Sequence, residues 1–179
     1  MYWLEGEEEF YIDEVMDYAE NKILSAADAE FNLTIFYGKD ANPADILNAC
    51  RRYPMFAERQ VVLLKEAQQM KDIEKLEGYI EKPLGSTVFV VSYKGKTIDG
   101  RSRISKLIKK NGEVFLSKKI YDNQLPSWTN GYVQSHGYQI TTKTLTLLVD
   151  HIGKDRNRIA KEMEKLMFKL DAAKNIKED

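Results

Sequence analysis

Cysteine is almost absent: Cys50 stands alone among 179 residues. A single thiol excludes an internal disulfide and any zinc site built from several cysteines. Histidine is nearly as scarce. His136 and His151 lie too far apart in sequence for a local metal motif. Neither stands near a nucleophile elbow, so no Ser-His-Asp or Cys-His constellation is legible. Charge of one sign is missing too. Lys+Arg number 27 and Asp+Glu 28, a formal net charge of -1. Binding to nucleic acid through overall charge is excluded, and only a local basic face is left for it. No apolar run approaches membrane-spanning length, and no signal peptide precedes the first apolar segment. A cytoplasmic chain without a membrane partner is expected. Repeats and low-complexity tracts are absent.

What is present is an alternation of apolar patterns. Tyr2-Trp3-Leu4 reads as a short buried strand. After Gly6 and the acidic Glu7-Glu8-Glu9, Ile12, Val15, Met16, Ala19 and Ile23 recur at helical spacing, with the acids in the first turn, where the helix dipole favours them. Phe31, Leu33, Ile35 and Tyr37 alternate as in a strand. Asn42-Pro43 signals a helix start, and Ile46, Leu47 and Cys50 form the inner stripe of that helix. This makes Cys50 a small core residue. Val61 to Leu64 is a continuous apolar run, as in a strand covered on both faces. A helix with Ile73, Leu76 and Ile80 inward ends at Pro83 and Gly85. Thr87 to Val91 is a further strand, and Glu113 to Leu116 closes the series. Five strands alternating with helices predict an α/β parallel sheet flanked by helices.

After Lys118-Lys119 no further strand is predicted. Helices are expected over Pro126–Ser135, with Trp128 and Val133 inward, and from Thr141 or Thr142 to Gly153, with Leu145, Leu148, Val149 and Ile152 inward. A third follows Asp155, with Ile159, Met163, Leu166 and Leu170 inward. The expected division is an α/β domain over 1–120 and a small all-helical domain over 121–179.

Chemistry on this sheet is sparse. A phosphate-cradling loop needs glycines and a lysine between the first strand and first helix. The chain offers Glu5-Gly6-Glu7-Glu8-Glu9-Phe10 there, whose carboxylates repel a triphosphate. Gly95-Lys96-Thr97 resembles the tail of such a loop, but Val90 stands where the earlier glycine is required, and the segment follows the fourth strand. Asp72, Glu74 and Glu77 read as a solvated helix face. Arg101, Arg103, Lys106, Lys109 and Lys110 point outward from a basic helix, continued by Lys118 and Lys119. They are candidate DNA contacts, and a solvated face is the blander reading.

The junction Cys50–Val62 carries the largest unexplained side chains. A helix ends before Pro54, because the residue preceding proline is driven out of helical geometry. A strand begins near Gln60. Between them stand Tyr53, Met55 and Phe56, stiffened by Pro54. Spacing alone favours Met55 and Phe56 completing the core under the helix end. The alternative is an exposed apolar plug for a partner's pocket.

In order along the chain, Tyr2 to Glu8, Tyr53 to Val62, Leu125-Pro126-Ser127-Trp128 and Gly153 to Leu166 resemble segments of the delta subunit of the bacterial DNA polymerase III clamp loader. Arg156 departs from the family's pattern, which has an apolar residue soon after the glycine; only local helix packing is affected. The resemblance implies an AAA+-like fold that has lost ATP hydrolysis, with a helical lid as its second domain. It implies a non-catalytic subunit, without cofactor, of an assembly whose holoenzyme has DNA-directed DNA polymerase activity. The partner implied is the sliding clamp (the beta subunit), held with one ring interface open. Tyr53, Pro54, Met55 and Phe56 are the implied clamp-binding residues, and an exposed plug becomes the expectation. A third, collar domain, through which other loader subunits assemble, has no counterpart here. The chain is thus expected to be an N-terminal fragment and a monomer, meeting primed DNA only in the full complex. Two other readings stay open: an active P-loop ATPase, and a nucleic-acid binding module using 101–119.

Overall fold

A computed structural model of the chain describes residues 1–169 together with Asn175 and Ile176. The chain divides into two compact units, Met1–Lys119 and Ile120–Asp179.

The first unit is built on a five-stranded parallel sheet. Its strands are β1 (Tyr2–Gly6), β2 (Leu33–Tyr37), β3 (Gln60–Lys65), β4 (Thr87–Lys94) and β5 (Glu113–Ser117), in spatial order β2-β3-β4-β1-β5. Pleating sends successive side chains to opposite faces. Val61 and Leu63 therefore join Leu4 and Val90 under α1 (Glu9–Asn21), which contributes Ile12, Met16 and Ala19. Val62 and Leu64 join Trp3, Phe89 and Val91 on the other face. That face is covered by α3 (Pro43–Arg51), α4 (Glu77–Ile80) and α5 (Arg103–Asn111), through Ile46, Cys50, Tyr79, Ile80, Ile104 and Ile108. The continuous apolar run of β3 follows from this double cover.

The sequence reading differs from the fold in several places. Phe31 is not in a strand. Ser25 caps a short helix, α2 (Ala26–Asn32), by accepting from the Asp28 N–H, and Phe31 lies on that helix, exposed; β2 starts only at Leu33. The period-two pattern ran across a helix end and so mimicked a longer strand. Val15 sits at the margin of the buried stripe of α1 and is exposed. The predicted helix through Ile73 and Ile80 is a 3-10 turn, Ile73–Leu76, running into the single turn of α4.

The second unit contains α6 (Leu125–Ser135), α7 (Thr142–Ile152) and α8 (Arg156–Lys169). Thr141 caps α7, accepting from the Thr144 N–H at 3.2 Å. Leu125, Val133, Ile152, Ile159, Met163 and Met167 form its core, with Trp128 half-buried beside them. Arg156 is buried, its guanidinium 5.2 Å from the Trp128 ring centroid. This cation–π geometry lets a cation stand where an apolar residue was expected. The sequence did not signal a short parallel strand pair in this unit, β6 (Gln139–Ile140) between α6 and α7 and β7 (Asn175–Ile176) after α8. Leu170, expected in the last helix, lies outside the described residues. No helix among the described residues is long and apolar enough to cross a membrane.

Candidate functional site

Parallel sheets of this kind bind ligands at the carboxyl ends of strands, where the chain connections reverse. Here the reversal falls between β1 and β4, since α1 covers one face and α5 the other. The polar groups at that crevice are engaged by the chain's own residues. Only Glu7 and Glu8 separate β1 from α1, and the Glu8 carboxylate accepts from the Phe10 N–H at 3.2 Å. It thus occupies the helix N-terminus where a phosphate would sit. Gly6 (φ 135°) donates to the Lys96 carbonyl at 3.2 Å, and a Cβ there would meet the Ser117 carbonyl oxygen at 2.0 Å. Glu5 is buried and accepts from Trp3 Nε1 at 2.9 Å and from the Ile98 N–H at 3.0 Å. Lys94, at the end of β4, pairs with Asp13 at 2.5 Å and Glu66 at 3.0 Å. Burial lowers the Lys94 pKa, but the hydrogen bonds and charges of Asp13 and Glu66 outweigh it and the net shift is upward. The ammonium is therefore spent on the protein's own carboxylates.

Lys96 follows Gly95 in a loop, not at a helix start, and its ammonium lies 5.6 Å from the Tyr93 ring centroid. Among the described residues no cluster of His, Cys, Asp and Glu could hold a metal. Asp72 pairs with Lys75 at 2.9 Å, and Glu77 with Arg103 at 3.4 Å, as a solvated face would. Cys50 is buried, and burial pushes its thiol up to about 12 against the opposing pull of Arg51. At neutral pH it is a protonated core side chain.

The opposite end of the sheet is built differently. Between α3 and β3 the chain leaves the core, and the apolar residues there face solvent. Tyr53 is 78% exposed, Met55 53% and Phe56 99%. Phe56 also has φ 56°, the left-handed region, which costs a residue with a Cβ roughly 1–2 kcal/mol. Such strain persists only where the surroundings over-determine it. Both ends of the loop are indeed held. On the β3 side, Gln60 is buried, and its Nε2 lies 3.0 Å from the Ala49 carbonyl, 2.6 Å from the Arg52 carbonyl and 2.8 Å from Thr87 Oγ1. Thr87 Oγ1 in turn donates to the Cys50 carbonyl at 2.9 Å. The Ala49 and Cys50 carbonyls at the end of α3, and that of its C-cap Arg52, thus gain partners from side chains at the starts of β3 and β4. On the other side, Asn32 at the end of α2 bonds the backbone of Met55. A cleft lined by Ile23, Leu24, Asp28, Ala57, Glu58 and Arg59 lies beside the exposed Phe56.

Sequence reasoning singled out Tyr53 to Phe56 and missed Asn32, Gln60 and Thr87. An Asn and a Gln bordering apolar runs were the only available signal. Of the basic candidates, Arg101 pairs with Asp99 at 3.3 Å, and Arg103 reaches Glu77 and, at 3.9 Å, Glu81. Lys106, Lys109 and Lys110 are exposed on α5. Hydrogen bonds from the Arg101 backbone and then its side chain hold Asp99 below the usual carboxylate range.

The model of the family described as DNA polymerase III, delta subunit, matches residues 2–118. The chain belongs to that family. It is 24% identical to the DNA polymerase III subunit delta of Bacillus subtilis (strain 168), in an alignment covering 93% of the chain and 51% of that protein. Among solved structures it resembles the Bacillus subtilis DNA clamp loader delta protein (YqeN), with TM-score 0.75 and 21% identity over 98% of the chain and 55% of the relative. A Thermotoga maritima RuvB mutant (P216G) shares the fold alone, with TM-score 0.53 and 11% identity over 98% of the chain and 58% of that protein. These likenesses give the first unit of this delta-family chain its AAA+-like architecture. The chain spans about half the length of the relatives it matches.

Proposed function

We propose that this chain is the clamp-binding portion of a clamp-loader delta subunit, acting in the cytoplasm during DNA replication. Its plug, Tyr53 to Phe56, enters an apolar pocket on the sliding clamp and favours the open ring. The observation that carries this reading is Phe56: fully exposed, backbone-strained, and set in a loop anchored at both ends. An apolar ring held out in water serves a partner that buries it. Met55 and Phe56 gain roughly 1.5–3 kcal/mol each on burial, before association costs. Tyr53 is a further apolar contact and Pro54 the stiffener.

Opening the ring requires only that the plug bind the open clamp more tightly than the closed one. No hydrolysis is involved. The carboxylate of Glu8 at the start of α1 and the engaged Lys94 oppose the reading as an active ATPase. The second unit is assigned the role of the family's lid. Other loader subunits join through the family's collar domain, and this chain by itself is a monomer. The test is unloading. Excess chain, with no nucleotide, should release beta rings from nicked circular DNA faster than dilution does. Release no faster than dilution contradicts the ring-opening role.

A DNA contact in the full loader is narrower than the basic run suggests. Arg101 and Arg103 are engaged by carboxylates, which leaves Lys106, Lys109 and Lys110 on α5. Three phosphate contacts give a log-log salt slope of about -3. A slope unchanged by reversing those three charges excludes them.

A further inference from the structure

We propose that Asn32 is the positioning residue of the plug: a buried amide that grips the Met55 peptide and so fixes the direction in which Phe56 is presented. The proposal rests on the clamp-binding reading and adds to it a residue outside the loop.

Asn32 is the one buried residue of α2, with 3% of its surface exposed. A buried amide is tolerated only when its polar atoms find partners. Those partners are mostly not its own helix. Asn32 Oδ1 accepts from the Met55 N–H at 2.7 Å, and Nδ2 donates to the Met55 carbonyl at 2.9 Å. The second Nδ2 hydrogen goes to the Asp28 carbonyl at 3.0 Å, which ties the amide to α2. Both Nδ2 hydrogens and one acceptor site of the side chain are thus used. A residue that merely ended α2 would need the Asp28 bond alone. The other two bonds reach across 23 residues and hold both polar groups of one backbone residue.

The consequence falls on Phe56. With the N–H and C=O of Met55 held, the chain enters Phe56 in one orientation. Phe56 then adopts φ 56° with its ring almost wholly in solvent. No contact of the ring itself explains that conformation, because the ring is 99% exposed. Without the amide the loop samples other conformers, and the apparent affinity falls with the fraction that remains competent.

The test compares Asn32→Ala, Asn32→Asp and Phe56→Ala with the unsubstituted chain. Two readouts are taken: binding to purified beta clamp and hydrogen exchange of the Met55 amide. Asn32→Ala should bind about tenfold more weakly, while its Met55 amide exchanges at least about tenfold faster. Asn32→Asp keeps the acceptor for the Met55 N–H and loses the two donors, so it should fall between. In a Phe56→Ala background, Asn32→Ala should add less than about twofold, because the two residues act through one ring. Full additivity, or wild-type affinity in a folded Asn32→Ala chain, overturns the proposal. If Asn32→Ala does not fold, Asn32→Asp decides the matter: wild-type affinity and exchange in that variant overturn it. Should the unsubstituted chain not bind the clamp at all, the functional reading fails. Met55 exchange then still tests the grip, and rapid exchange in the unsubstituted chain overturns it.

Discussion

Phe56 pays twice in the free chain, once for an exposed ring and once for a left-handed backbone. The two costs separate by substitution. Phe56→Ala removes the ring and keeps the backbone penalty, whereas Phe56→Gly removes both, since glycine visits positive φ freely. Urea unfolding should find Phe56→Gly more stable than Phe56→Ala by about 1 kcal/mol. Equal stabilities would mean that the backbone is unstrained at this position. At this scale the sequence was partly legible. Met55 and Phe56 were conspicuous as large apolar residues beside a proline, but spacing alone favoured the core, and only the family resemblance pointed outward. Asn32 was marked only by its place at the edge of an apolar run, because its partner lies 23 residues away and nothing local shows that an amide grips a distant backbone. Cys50, by contrast, was readable from the helical stripe it shares with Ile46, and both are buried.

Among the elements, α3 and β3 do most to set the loop. The end of α3 is held by side chains of the sheet and not by a glycine cap, since Gln60 and Thr87 serve the Ala49, Cys50 and Arg52 carbonyls. Thr87→Val keeps the shape of the side chain but leaves the Cys50 carbonyl without its hydroxyl donor. Such a buried acceptor costs about 1–3 kcal/mol. A loss of that size is expected by urea denaturation with the m-value unchanged, and no loss would show that the bond contributes nothing. The central strands β3 and β4 were legible because double-sided burial writes continuous apolar runs such as Val61–Leu64. The helix α2 was not. Its two turns carry little apolar periodicity, and Phe31 fell by chance into the alternating pattern of β2. The strand pair β6–β7 is two residues long on each side, too short for any period to register.

For the whole molecule, the two ends of the parallel sheet have separate fates. At the carboxyl ends, the groups that would meet a phosphate are engaged within the chain, Glu8 at the start of α1 and Lys94 in its ion pairs. The acidic Glu7-Glu8-Glu9 run disclosed that much in the sequence, although the pairing of Lys94 with Asp13 and Glu66 required the fold. At the amino ends of β3 and β4, the chain instead projects its most exposed aromatic ring from a loop anchored by Asn32, Gln60 and Thr87. The proposed contact with the sliding clamp is this loop. It is tested most directly by the equilibrium affinity of the Met55→Ala/Phe56→Ala double variant for purified beta clamp, alongside the unsubstituted chain, with folding checked by circular dichroism. Loss of both side chains should weaken binding by roughly 3–6 kcal/mol, at least about a hundredfold, with the fold intact. An unchanged affinity in a folded double variant would contradict the assignment.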